Sequence, residues 1–332
     1  MKYLVFYICF ATTLLGCGRS AEPDTGKKEN QKFLRCAEPY NDGEKERITL
    51  TPLTVERSGL DVRIHGIKRG LIVLGLLSGI TEPTRESFSN LDYFLDQFKE
   101  AGAQAVLVAG DVGDTEPDLR SILGHLSRAP IPILVTPGAQ ENFDLFRKTM
   151  ASARRQYPQL VDMSLVRRVK IGHLNIVSLP GYHKPFYLKA KERGCAYNAA
   201  DLAATFGLFE EKTVNVLFSP SPPRGSGSLA VDRARGGINI GDPALADLMA
   251  ERKIKFGLFG HVFEAGGHAT LSDGRTAVPA GIWQDSLFLQ AGSAEALPLP
   301  LVGEGRSVGM AQIVSFSAKR ARYQTVPAQI AP

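Results

Sequence analysis

From residue 70 onward the apolar residues come in unbroken runs rather than in alternation. Residues 70–80 (GLIVLGLLSGI), 103–109 (AQAVLVA) and 131–135 (IPILV) are nearly all apolar. Such runs mark strands buried on both faces. Between them the period changes. Residues 84–101 place Phe88, Leu91, Phe94, Leu95 and Phe98 at helical spacing, and Gly102 ends the pattern. Residues 117–128 and 141–153 read as two further helices. The order is β-α-β-α-β with short connections, so parallel pairing and right-handed crossovers are expected.

The second half is richer in strand. Residues 165–179 predict a hairpin around Gly172-His173, and 181–185 a turn. Residues 198–211 predict a helix with Asn198 or Asp201 as its cap. A buried strand at 214–218 runs into a proline-rich turn that closes at Arg224, and a Gly/Ser-rich loop fills 225–237. Asp242 is placed as N-cap and Pro243 as first residue of a helix over 242–252. Strands are expected at 256–259, 277–282, 286–291 and 310–323. Upstream, 48–64 alternates loosely and predicts a strand pair at a sheet edge marked by Pro52.

The first residues follow another rule. Lys2 precedes an apolar run over 3–15, too short to span a bilayer and of the length of a signal-peptide core. The run ends Leu14-Leu15-Gly16-Cys17, which resembles the bacterial lipoprotein lipobox. That resemblance implies a signal peptide over 1–16 and acylation of Cys17 as the new N-terminus. The partner so implied is a membrane, held through the lipid at Cys17. Gly18, where an Asp would argue for inner-membrane retention, points to the outer membrane. Residues 17–47 are polar and patternless and read as a flexible tether, with Phe33, Leu34 and Cys36 able to dock on a domain. A coil of that length reaches about 30 Å. The domain proper is expected over 48–326.

Composition narrows the function classes. The chain has 332 residues, 44% hydrophobic and 22% charged, which are ordinary globular values. Its net charge of +5 is not gathered into a basic stripe, which argues against nucleic acid. Of four cysteines, Cys9 falls in the signal peptide and Cys17 in the lipobox. Cys36 and Cys195 remain, either paired or as two thiols; no CxxC spacing suggests zinc.

The chemistry gathers around 106–114, VLVAGDVGD, a strand that delivers Asp111 at its C-terminal end, where ligands bind in open α/β sheets. The flanking stretches resemble the calcineurin-like metallophosphoesterases, whose motifs run D-x-H, G-D, G-N-H, a His before a P-P-R-G-like turn, and G-H-x-H. Here they read 77–81 LSGIT, Gly110-Asp111, 137–140 PGAQ, 219–225 SPSPPRG and 260–263 GHVF. The resemblance covers about 70–326 and implies an α/β, four-layer α-β-β-α sandwich of two mixed sheets flanked by helices.

It also implies a dinuclear site sharing a bridging carboxylate. The first ion's ligand positions fall on Gly79, Thr81, Asp111 and Phe263; the second's on Asp111, Ala139, Pro220 and His261. Gln140 stands where the family has the His that assists the leaving group. Only Asp111 and His261 keep ligand chemistry. The expectation is therefore a fold that has lost its metals: no catalytic residue, no cofactor, and a role in binding or assembly with a protein of the cell envelope. The alternative is an active metal-dependent phosphoesterase with Mn, Fe or Zn on Asp111, His261 and a carboxylate such as Glu141 or Glu264. Both survivors also have structural readings, Asp111 as acceptor for its own turn and His261 as a satisfied buried histidine. His65, His125, His173, His183 and His268 are scattered. Ser226 in 225–229 (GSGSL) lacks the strand-turn-helix setting of a nucleophile elbow, and 113–118 has no phosphate-loop lysine.

Overall fold

The computed structural model describes residues 36–67, 70–303 and 305–329. The signal peptide, Cys17 and most of the expected tether lie outside these residues. The chain opens with a meander, β1 Lys45–Leu50, β2 Leu53–Ser58 and β3 Asp61–His65. Three strands form where the alternation suggested two, because the Thr51-Pro52 turn and Gly59 both reverse the chain.

Next come β4 Ile72–Leu77, α1 Arg85–Glu100, β5 Ala105–Ala109, α2 Glu116–Leu126, β6 Ile133–Thr136, α3 Phe143–Gln156 and β7 Leu160–Asp162. The Thr84 side chain caps α1 and Thr115 caps α2, each accepting a first-turn N–H. Asn142 caps α3, so Glu141 is not helical as expected but sits just outside, with its side chain free to turn inward.

Then follow the hairpin β8 Arg168–Ile171 and β9 Leu174–Ser178, α4 Ala199–Phe206, β10 Val214–Ser219, the ribbon β11 Arg233–Ala234 and β12 Ile238–Asn239, α5 Pro243–Glu251, and β13 Phe256–Phe259. Asn198 and Asp201 form a reciprocal capping box on α4, so both candidate caps act together. The chain closes with β14 Ala269–Thr270, β15 Leu287–Gln290, β16 Leu299–Pro300, β17 Arg306–Ser307, β18 Met310–Phe316 and β19 Ala321–Pro327. The expected strand at 277–282 is a loop: Ala277 makes one bridge to Thr270, and Pro279 and Gly281 (φ 81°) end the pairing. The expected single strand over 310–323 is a hairpin that turns where Ser317 N–H donates to the Arg320 carbonyl.

Two mixed sheets result. One has the order β1-β2-β3-β8-β9-β10-β13-β15-β14, the other β19-β18-β4-β5-β6-β7. Leu74, Leu76, Leu107 and Leu134 of the second sheet pack on Ile176, Val216, Phe218 and Leu258 of the first. The opposite face of the second sheet, with Val73, Val106 and Val108, meets Phe94 and Phe98 of α1, Ile122 of α2 and Phe146 of α3. Leu217, Phe259 and Phe288 on the outer face of the first sheet meet Leu202 and Phe206 of α4 and Leu245 and Met249 of α5. The layers are α-β-β-α, as the resemblance implies.

Residues 36–47, assigned to the tether by composition, pack on this body at their start. Cys36 and Ala37 are buried, and the Ala37 carbonyl accepts from the buried Arg167 guanidinium at 2.5 Å. Cys36 is disulfide-bonded to Cys195, with their Cα atoms 5.5 Å apart, which decides the open question of pairing.

Candidate functional site

The C-terminal ends of β4, β5, β6, β10 and β13 converge. The backbone after β5 runs so close to the β6–α3 loop that a Cβ on Gly110 would lie 2.5 Å from the Gly138 Cα and 3.1 Å from the Pro220 ring. Ser78, after β4, donates its hydroxyl to the Ala109 carbonyl at 3.2 Å and accepts weakly from His261 N–H at 3.5 Å. Each motif singled out in the sequence therefore arrives at one place.

Asp111 and His261 face each other there. Both adopt the left-handed region, at φ 61° and φ 68°, which costs non-glycine residues on the order of 1 kcal/mol or more. Asp111 is fully buried. Its Oδ1 accepts from Ala139 N–H at 2.8 Å and Gln140 N–H at 3.0 Å, and its Oδ2 lies 3.0 Å from His261 Nδ1. Both carboxylate oxygens thus have protein partners.

The remaining ligand positions hold other contacts. Gly79 (φ 64°) lies under Phe263, and a Cβ there would come within 2.7 Å of the phenyl ring. The Thr81 hydroxyl donates to Glu295 at 2.9 Å. Ala139 and Pro220 are buried. Glu141 reaches the site but is turned onto the backbone: Oε1 accepts from Val112 N–H at 2.6 Å and Oε2 from Gly138 N–H at 2.8 Å. Glu264 lies on a 3-10 turn, Phe263–Ala265. Among the described residues no group of three or more His, Cys, Asp or Glu side chains is placed to hold a metal ion.

The electrostatics follow from burial. Glu141 is pushed up to about 8 by burial, and the Asp111 charge adds to the push against the two backbone donors. At neutral pH it holds its proton. His183 is pushed down to about 4, chiefly by burial, so its imidazole is neutral; its Nδ1 lies 3.4 Å from Ser221 Oγ. Burial raises the Tyr182 hydroxyl well above the ordinary phenol value.

Sequence reasoning missed the residues that cover His261. The loop after β9 brings the Tyr182 ring to 4.5 Å and the Tyr187 ring to 6.5 Å from the imidazole, and Phe263 stands at 6.2 Å. The Tyr182 hydroxyl and His183 Nε2 are buried without a protein hydrogen-bond partner. The aromatic content of 182–187 (YHKPFY) was the only available signal. The other scattered histidines do not join: His125 stacks on Phe88 and bonds Asp92 at 2.8 Å, and His173 bonds the Ser317 carbonyl.

No protein-family model and no curated protein matches this sequence. Solved structures do match. One, 11% identical, aligns with 78% of this chain and 100% of its own at a TM-score of 0.57. TT1561 of Thermus thermophilus is 14% identical over 78% of this chain and 100% of its own, with a TM-score of 0.51. A dimetal phosphatase from Danio rerio is 14% identical over 78% and 99%, with a TM-score of 0.48. At TM-scores above 0.5 the first two share this chain's fold, two mixed sheets between helical layers. At such identities the likeness concerns the fold, and the activity has to be argued from the site itself.

Proposed function

We propose that this chain is a lipid-anchored protein of the cell envelope whose metallophosphoesterase-like fold has lost its dinuclear metal site and serves in binding or assembly. One observation carries the reading. The Phe263 ring occupies the space that any side chain on Gly79 would need, so two ligand positions of one ion are replaced by a mutually packed pair. Three further features support it. Asp111, the position of the bridging carboxylate, has both oxygens engaged by the protein. Glu141 is buried, protonated near neutrality and bonded to backbone N–H groups, which makes it a poor ligand for a dication. Thr81 is engaged by Glu295. The residues present do not fit a pair of metal ions.

The second reading, hydrolysis of phosphoesters through a single Mn, Fe or Zn ion, is favoured by one feature: Asp111 and His261 are both held in left-handed conformations, facing each other at 3.0 Å. A panel of phosphomonoesters and phosphodiesters with Mn, Fe, Zn and Mg separates the two. The pseudoenzyme reading expects background rates throughout. The anchor rests on 14–17, LLGC, outside the described residues. Cys17→Ser is expected to abolish acyl labelling and leave uncleaved precursor. Recovery of wild-type protein without acyl chains would contradict the anchor.

A further inference from the structure

We propose that the loop carrying Phe186 is a second membrane contact, which seats this domain on an anionic phospholipid surface. The proposal deepens the lipid-anchored reading and rests on it for the orientation of the domain.

Phe186 is 89% exposed, more than any other large apolar side chain among the described residues. A lone exposed phenylalanine is unremarkable on a protein surface. This one is held out on a fixed platform. It sits in a 3-10 turn, Pro185–Tyr187, followed by a second, Lys191–Arg193. On either side the chain is tied inward. The Tyr187 ring packs 5.2 Å from the Tyr182 ring, Leu188 is buried, and Lys189 N–H donates to the Ala139 carbonyl at 2.9 Å. The phenyl group is thus the tip of a braced loop.

The surround of that tip is cationic. Lys184, Lys189, Lys191 and Arg193 are all exposed, against Glu192 as the one carboxylate of 184–193. Lys189 also pairs with Asp114 at the loop's foot. An aromatic tip flanked along the chain by exposed Lys and Arg suits the boundary of an anionic bilayer: the ring enters among the acyl chains and the cations meet phosphate headgroups. A docking face for a protein partner is expected to carry a broader apolar patch than this one ring.

The covalent structure orients this loop. Cys36, where the described chain begins, is bonded to Cys195 at the base of the same loop, nine positions after Phe186. Tyr182 N–H donates to the Cys195 carbonyl at 3.0 Å, closing the base. The nineteen positions from Cys17 to Cys36 span at most about 65 Å when extended, and about 25 Å as a coil. A lipid at Cys17 would join the domain at the foot of the Phe186 loop, which brings that loop within reach of the bilayer. The lipid at Cys17 holds the chain to the bilayer, and a cationic aromatic loop supplies a second contact that seats the domain itself.

The test uses the mature acylated protein in vesicles that contain brominated phosphatidylcholine, with and without phosphatidylglycerol. Phe186→Trp places an indole at the tip; the sole natural Trp283 serves as the reference in the unsubstituted protein. The expected result is several-fold stronger quenching of the new indole when phosphatidylglycerol is present. Lys184→Glu with Lys191→Glu is expected to abolish it, and Trp283 to stay unquenched. An indole no more quenched than Trp283 in both lipids would overturn the proposal. Flotation with pure phosphatidylcholine vesicles in high salt reads the acyl anchor separately. Protein that fails to float there loses the anchor, while the loop still stands or falls on its quenching with phosphatidylglycerol.

Discussion

Both oxygens of Asp111 are engaged, two backbone N–H groups on one and the His261 imidazole on the other. On this account its role is to hold the turn after β6 in place. Asp111→Asn weakens charge-assisted bonds and is expected to cost about 2 kcal/mol of stability, read as a lower urea midpoint, with phosphoester turnover unchanged from background. Glu141 ties pH to the same spot. Its native pKa is raised from 4.5 to about 8, so between those values the folded state holds a proton that the unfolded state has released. Its contribution is full below about 4.5 and is lost as pH rises towards 8. His183 runs the other way: its pKa falls from 6.5 to about 4, so stability is lost as pH drops through that window. Above pH 6.5 the Glu141 slope stands clear of it. Glu141→Ala is expected to flatten the fall in stability between about pH 6.5 and 8, measured by denaturation at each pH. Asp111→Asn should flatten it in part, because it removes the second cause of the shift. An unchanged slope in Glu141→Ala would show that another group carries it.

At the scale of elements, the site is where strand ends from two sheets meet, and the end of β4 shows how it is packed. Gly79 after β4 and Phe263 after β13 occupy one volume between them. Gly79→Asp adds a side chain in the left-handed region and drives it into the ring, with an expected loss of about 3 kcal/mol. Combined with Phe263→Ala, part of that loss should return, giving a coupling of about 1 kcal/mol or more in a double-mutant cycle. Additive losses would mean that the ring does not fill the position. The same elements show what was legible. Runs such as 70–80 and 103–109 gave the central strands, because a strand buried on both faces has no polar position to spare. The caps at Asn198 and Asp242 were legible as side chains able to accept first-turn N–H groups, whereas Thr84 and Asn142, read as helical, prove to be caps outside their helices. The stretch 277–282 misled, because its apolar residues line a loop interrupted by Pro279 and Gly281, and Val278 is buried without belonging to a strand.

For the whole molecule, the four-layer architecture was legible through the order of five short motifs and their resemblance to a known family. Their glycines and prolines set the close approach of the strand ends, as at Gly110 and Pro220. The cover over His261 was not legible, since Tyr182 and Tyr187 reach it from a turn with no periodicity. The disulfide was open for a related reason: Cys36 and Cys195 are 159 positions apart, and only the folded sheets bring them together. The central claim concerns metal. A dication held by Asp111 and His261 alone keeps most of its waters, and a second ion would share one carboxylate with it against strong repulsion. The most direct measurement is the metal content of the purified mature protein after incubation with Mn, Fe or Zn and removal of the excess, with turnover of the phosphoester panel followed on the same sample. The account predicts well under one equivalent of bound metal and no turnover above background. About two equivalents, with metal-dependent turnover that disappears in folded Asp111→Asn and His261→Ala, would contradict it.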